Sequence, residues 1–141
     1  MKLTIGIIGL GYVGIELATN IKKKNFNVYL FDKDLHKINQ LKKGISPLNI
    51  FTNKEIKILS KDNIFHTNQI HKVSLCDIII FCLPTPLKRN NKPDMSFLKS
   101  SFSDIYKHLR KNQLIINEST VYPGATREIF EKRLNKKFKI G

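Results

Sequence analysis

Gly9-Leu10-Gly11-Tyr12-Val13-Gly14 fits the pattern G-x-G-x-x-G, and its setting constrains the fold of this chain more than any other feature. The motif follows Leu3 to Ile8, a β-branched apolar run that reads as a strand buried on both faces. It opens a segment, Tyr12 to Lys24, in which Val13, Leu17, Ala18 and Ile21 recur at three- and four-residue spacing and share one helix face. Val28 to Phe31 is a second apolar strand, closed by Asp32, which stands 18 residues after Gly14 (32 − 14). Leu35, Ile38 and Leu41, followed by Lys42-Lys43 and Gly44, predict a second helix with a glycine stop. The first 44 residues are therefore a βαβα unit.

Further along, Glu55, Ile56 and Leu59 suggest a short helix, and Ile64 to Thr67 a third strand. Asp77 to Leu83 reads as a central parallel strand stopped by Pro84-Thr85-Pro86. After a polar loop, Ser96 is expected to cap a helix running to about Leu109, with Phe97, Ile105 and Leu109 inward. Gln113 to Asn117 is a fifth strand, Pro123 suits the first turn of a helix over Thr126 to Asn135, and Phe138 to Ile140 looks like the start of one more strand. Strands alternating with helices imply an α/β fold: a Rossmann-type, doubly wound parallel sheet of five to six strands with helices on both faces. At roughly 100 to 200 residues per domain, residues 1–141 form one domain.

Composition excludes other classes. The longest apolar run, Ile78 to Leu83, is far short of the ~20 residues that cross a bilayer, and Gly6, Gly9, Gly11 and Gly14 break the N-terminal stretch that could pass for a secretory signal. A cytoplasmic protein is expected. Cys76 and Cys82 are too few for a disulfide framework and read as buried free thiols. His36, His66, His71 and His108 are scattered, so no metal site is expected. Lys and Arg number 25 against 11 Asp and Glu, a net charge of +14, which raises nucleic acid as a partner. The lysines fall near helix ends and in loops, without a basic stripe interleaved with aromatics, so that reading is disfavoured.

The chemistry sits in the glycine turn and at the ends of strands. Gly9 permits a tight turn, Gly11 removes a side chain where a pyrophosphate approaches the backbone, and Gly14 lets helix and strand pack closely. The helix opening at Tyr12 and Val13 offers free N–H groups and partial positive charge to phosphates. Asp32 can accept from both hydroxyls of an adenosine ribose while repelling a 2′-phosphate, which favours NAD over NADP. Lys37, five residues on, can reach the ribose or a phosphate, or be a solvated helix-face lysine; Lys33 reads as solvated. Pro84 and Thr85 at the end of the fourth strand, with Ser119 and Thr120 at the end of the fifth, lie on the ligand side of such a sheet. Alternatively the prolines merely end the strand, and Ser119 and Thr120 shape the turn before Pro123.

Together these motifs, with Gly44-Ile-Ser-Pro at 44 to 47, Cys-Leu-Pro-Thr-Pro-Leu at 82 to 87, Lys-Pro-Asp-Met-Ser at 92 to 96 and Glu-Ser-Thr-Val-Tyr-Pro-Gly at 118 to 124, cover nearly the whole chain. They resemble the N-terminal NAD-binding domain of the UDP-glucose/GDP-mannose dehydrogenase family, and the last motif most resembles the UDP-N-acetylglucosamine 6-dehydrogenases of capsule and O-antigen synthesis. The resemblance implies NAD-dependent oxidation of a sugar C6 alcohol to a carboxylate, by two hydride transfers through a thiohemiacetal and a thioester on a cysteine. It implies that Asp32 and Lys37 hold the adenosine ribose side, that Thr85 contacts the cofactor, and that Thr120 positions a catalytic water or the reacting group. It also places the nucleophilic cysteine, the contacts to the UDP-sugar and the dimer-forming helix beyond Gly141, so the chain is expected to be a cofactor domain without its catalytic part, belonging to a homo-oligomer when complete. A stand-alone NAD-binding module without catalysis is the competing reading.

Overall fold

The computed structural model describes residues 2–89 and 91–138. Five strands, β1 (Thr4–Ile8), β2 (Asn27–Phe31), β3 (Ile64–Thr67), β4 (Ile78–Phe81) and β5 (Leu114–Asn117), form one sheet in the order β3-β2-β1-β4-β5, every pairing parallel. The order reverses beside β1, whose Ile8 is paired with Phe31 on one side and Phe81 on the other. Such a reversal leaves a crevice at the carboxyl ends of the strands.

Helices cover both faces, which is why the strands read as continuous apolar runs. On one face α1 (Tyr12–Lys23), α2 (Leu35–Lys42) and α3 (Asn53–Ile56) pack Ile15, Ala18, Ile38, Leu41 and Ile56 onto Ile5, Ile7, Val28 and Leu30. On the other, α4 (Ser96–Tyr106) and the C-terminal helical segment ending in α5 (Lys132–Phe138) pack Leu98, Phe102, Ile105, Ile129 and Phe130 onto Ile8, Phe31, Ile79 and Phe81. The doubly wound parallel sheet expected from the sequence is the architecture found.

Several local expectations are corrected. The fourth strand is shorter than Asp77 to Leu83, although Cys82, just past it, still donates its N–H to the Ile8 carbonyl at 2.8 Å. Ser96 is the first residue of α4 rather than its cap; Met95 holds the cap position, and the Asp94 carboxylate accepts the Ser96 N–H at 2.9 Å. The helix ends at Tyr106, before Leu109. Phe97 is not inward: it is half exposed, because the buried stripe of α4 runs through Leu98, Ser101, Phe102 and Ile105. Gln113 precedes β5 and uses its side-chain amide to bond the Val73 and Cys76 carbonyls at 2.8 and 2.7 Å. Pro123 stands in a turn ahead of the last helical segment, which passes through a π-helical turn (Arg127–Glu131) into α5. Phe138 lies in that helix instead of starting a strand; the remainder of the expected sixth strand lies outside the described residues.

Candidate functional site

A cleft of about 1010 Å³ opens above the carboxyl ends of β1, β2, β4 and β5. Its floor is the glycine turn. Gly9 has φ +96°, a left-handed conformation that a side chain resists, and a Cβ there would lie 2.6 Å from the Cys82 carbonyl oxygen. A Cβ at Gly14 would fall 2.0 Å from the Gly9 carbonyl oxygen. Gly14 is thus under the turn and does not line the cleft; it acts by letting α1 start against Gly9. At Gly11 a Cβ would meet nothing within 4 Å, because that position faces the open cleft.

Gly11 occupies the cap position of α1 with no side chain capping it, so the N–H groups of Tyr12 and Val13 lack intrahelical acceptors and point at the cleft entrance with the helix's partial positive charge. Both side chains are largely exposed and line the cleft.

Asp32, just past β2, is fixed from three directions. Its Oδ2 accepts from the Leu10 N–H at 2.9 Å and from Lys37 Nζ at 3.3 Å, and its Oδ1 accepts from the Asp34 N–H at 2.9 Å. Lys37 is therefore no free helix-face lysine: its side chain is 23% exposed and turned to Asp32. Asp34 supplies the cap of α2, its carboxylate accepting the His36 and Lys37 N–H groups, and those bonds hold its own carboxyl below the ordinary range.

Pro84 and Thr85 on the β4 side, and Ser119 and Thr120 on the β5 side, all reach the cleft wall. Ser119 is buried and its Oγ accepts the Leu83 N–H at 2.9 Å, stitching the two strand ends together. Thr120 is exposed, which leaves its hydroxyl to the cleft. Cys82 also lines the wall, but burial and the charge of Glu118 push its thiol up to about 11, so it stays protonated. Cys76 is buried at the far end of β4.

The remaining wall escaped the sequence reading. Phe97, Ser100, Ser101 and Asp104 of α4 face the cleft, and Lys33 forms an ion pair with Asp104 at 3.3 Å. Serines three and four apart from Phe97 and Asp104 along α4 were the available signal, but only the packing of α4 shows which side they occupy. The residue types present suit a dinucleotide: open space at Gly11, unpaired N–H groups at a helix start, and an acceptor carboxylate at the second strand end.

The profile described as UDP-glucose/GDP-mannose dehydrogenase family, NAD binding domain, matches residues 3–141. This chain belongs to that family. NAD is the cofactor of the domain. Among curated relatives, the UDP-N-acetyl-D-glucosamine 6-dehydrogenase of Pseudomonas aeruginosa is 36% identical over 126 residues, covering 89% of this chain and 29% of the relative. Protein CapL of Staphylococcus aureus is 34% identical over 128 residues, covering 91% of this chain and 29% of its own length. Among solved structures, the NDP-N-acetyl-D-galactosaminuronic acid dehydrogenase of Methanosarcina mazei superposes with TM-score 0.86 at 26% identity, over 96% of this chain and 31% of that one. The GDP-mannose dehydrogenase of Pseudomonas aeruginosa, at 24% identity and TM-score 0.85, covers 94% of this chain and 32% of its own and shares the fold. The chain thus spans under a third of these relatives' lengths. Among the described residues, no helix is long and apolar enough to cross a membrane.

Proposed function

We propose that residues 1–141 are the cofactor-holding unit of a UDP-sugar 6-dehydrogenase that oxidises the C6 alcohol of UDP-N-acetylglucosamine to the uronic acid, in the cytoplasm, for surface polysaccharide synthesis. The observation that carries this reading is the cleft itself, with an open Gly11, a bare helix start and Asp32 on one side and two strand-end threonines on the other. In this reading the backbone of Gly11, Tyr12 and Val13 takes the pyrophosphate, and Asp32 takes the adenosine ribose with Lys37 holding that carboxylate in place. Pro84, Thr85, Ser119 and Thr120 form the wall beside the reacting end, with Thr120 offering a hydroxyl that both donates and accepts. Bound NAD supplies the hydride acceptor. Neither Cys76 nor Cys82 is a nucleophile, since burial keeps both protonated; the nucleophile and the UDP-sugar contacts come from a segment outside residues 1–141, in a homo-oligomer. The sugar is inferred from the 36% identical relative and the segment Glu118 to Gly124.

The test is NADH formation by the protein as its source produces it, supplied with NAD and, in parallel, UDP-N-acetylglucosamine, UDP-glucose or UDP-N-acetylmannosamine. Two NADH per UDP-N-acetylglucosamine are expected. Turnover of a different UDP-sugar alone would overturn the substrate assignment, and NAD binding without NADH from any of the three would overturn catalysis and leave a binding module.

A further inference from the structure

In a chain of net charge +14, the cleft is the exception. Among its described lining residues the charged groups are three carboxylates, Asp32, Asp104 and Glu118, and two ammonium groups, Lys33 and Lys37. Each ammonium group is already held by a carboxylate, Lys37 by Asp32 and Lys33 by Asp104, both at 3.3 Å. The two lysines differ in what holds them. Lys37 is half-buried and paired within its own neighbourhood, five residues from Asp32. Lys33 follows Asp32 directly in the chain, yet its partner lies 71 residues away (104 − 33) on α4, across the cleft.

We infer that Asp104 is a specificity-determining residue, which rejects a ribose 2′-phosphate by drawing the Lys33 ammonium across the cleft and away from the ribose end marked by Asp32. The inference rests on the assignment of Asp32 to the adenosine ribose. A cation beside that acidic position is what allows a Rossmann domain to accept the 2′-phosphate of NADP. Lys33 has the right place in the chain for that task. With Lys33 engaged by Asp104, a 2′-phosphate meets the Asp32 carboxylate and no unengaged ammonium group among the described lining residues. Removing the Asp104 charge changes two terms in the same direction: it deletes a nearby negative charge and frees Lys33. The pair is exposed, at 79% and 45% for the two side chains, so the effect is several-fold rather than orders of magnitude.

Calorimetric titration of the wild-type protein, Asp104→Asn, Lys33→Met and the double variant with NAD and with NADP tests this. The quantity read is the ratio Kd(NADP)/Kd(NAD). Asp104→Asn is expected to lower it about fivefold at low salt, the double variant to restore it, and Lys33→Met alone to leave it at or above the wild-type value. Near 1 M salt, where screening acts within ~3 Å, the fall should vanish. An unchanged ratio in Asp104→Asn, or a fall that persists in the double variant, overturns the inference. Failure of the wild-type protein to bind NAD would instead overturn the cofactor assignment, and equal wild-type affinity for the two dinucleotides would overturn the role of Asp32.

Discussion

The Leu10 backbone N–H donates to Oδ2 of Asp32 at 2.9 Å, so the carboxylate proposed to read the ribose also anchors the glycine turn. With Lys37 and the Asp34 N–H as its other partners, Asp32 is a structural keystone of the β2 end as well as the proposed ribose acceptor. Asp32→Ala strands the Leu10 N–H and leaves Lys37 without its partner, whereas Asp32→Asn retains an acceptor oxygen. Urea denaturation should show a loss of about 1–3 kcal/mol for alanine and a smaller loss for asparagine. In binding, both variants should narrow the preference for NAD over NADP; a wild-type preference surviving in Asp32→Ala would dismiss the ribose assignment.

Two of the motif glycines, Gly14 and Gly11, should separate folding from binding. Alanine at Gly14 sets its methyl 2.0 Å from the Gly9 carbonyl oxygen, a backbone atom that can yield only by shifting the turn. Overpacking of that kind costs about 1–3 kcal/mol, and this contact belongs at the upper end. Alanine at Gly11 meets nothing within 4 Å and should leave the thermal midpoint nearly unmoved, while weakening NAD about tenfold or more by filling the approach to the pyrophosphate. Unimpaired NAD binding by a folded Gly11→Ala protein would refute that approach path.

Both thiols should be silent in the native protein. Burial, with the Asp77 charge adding to it, pushes Cys76 up to about 12; burial, with Glu118, pushes Cys82 up to about 11. At pH 8 neither carries appreciable thiolate, and the Cys76 sulfur is further enclosed beneath Gly6, where a Cβ would sit 2.8 Å from it. Alkylation followed by peptide mass spectrometry should find both positions unlabelled until denaturant is added. Rapid labelling of Cys82 without unfolding would reopen its candidacy as a nucleophile.

What could be read from sequence was what chemistry places close together along the chain. The β1 to α2 unit follows from glycine spacing and apolar periodicity, and β3 falls on Ile64–Thr67 as expected, because these signals are local. Phe97 failed for a physical reason. A cleft wall is neither core nor open solvent, so an aromatic residue there resembles a core residue in sequence, while the stripe that does bury, Leu98, Phe102 and Ile105, differs from it by a small rotation of the helix. The Lys33–Asp104 pair has no local signal at all, since it exists only once α4 docks across from β2. Likewise Arg110 gave no hint that it would bond Asp77 at 2.8 Å and the Ser74 and Cys76 carbonyls at 2.9 and 3.0 Å, clamping the start of β4. In the site, the residue types were legible and the wall opposite them was not.

His66 makes the fold sensitive to mild acid. It lies on β3, its Nε2 is buried without a hydrogen-bond partner among the described residues, and burial together with the Lys42 charge lowers its pKa to about 4, against a smaller opposing effect of a backbone bond at Leu59. In the unfolded chain the imidazole titrates near its ordinary 6.5. Above pH 6.5 both states are neutral and the native state is at full advantage. As pH falls below 6.5 the unfolded chain takes up a proton that the native state refuses, and stability drains away until about pH 4. Between pH 7 and pH 5 this one group should cost about 1 kcal/mol, after discounting for its partial exposure. Carboxylates such as Asp77, held low by the Thr4 N–H and by Arg110, also lose stability in acid, so the informative quantity is a difference between proteins. Urea midpoints at pH 7 and pH 5 should therefore move less in His66→Leu than in the wild-type protein; an equal shift in the two would mean that the imidazole accepts its proton without disturbing β3.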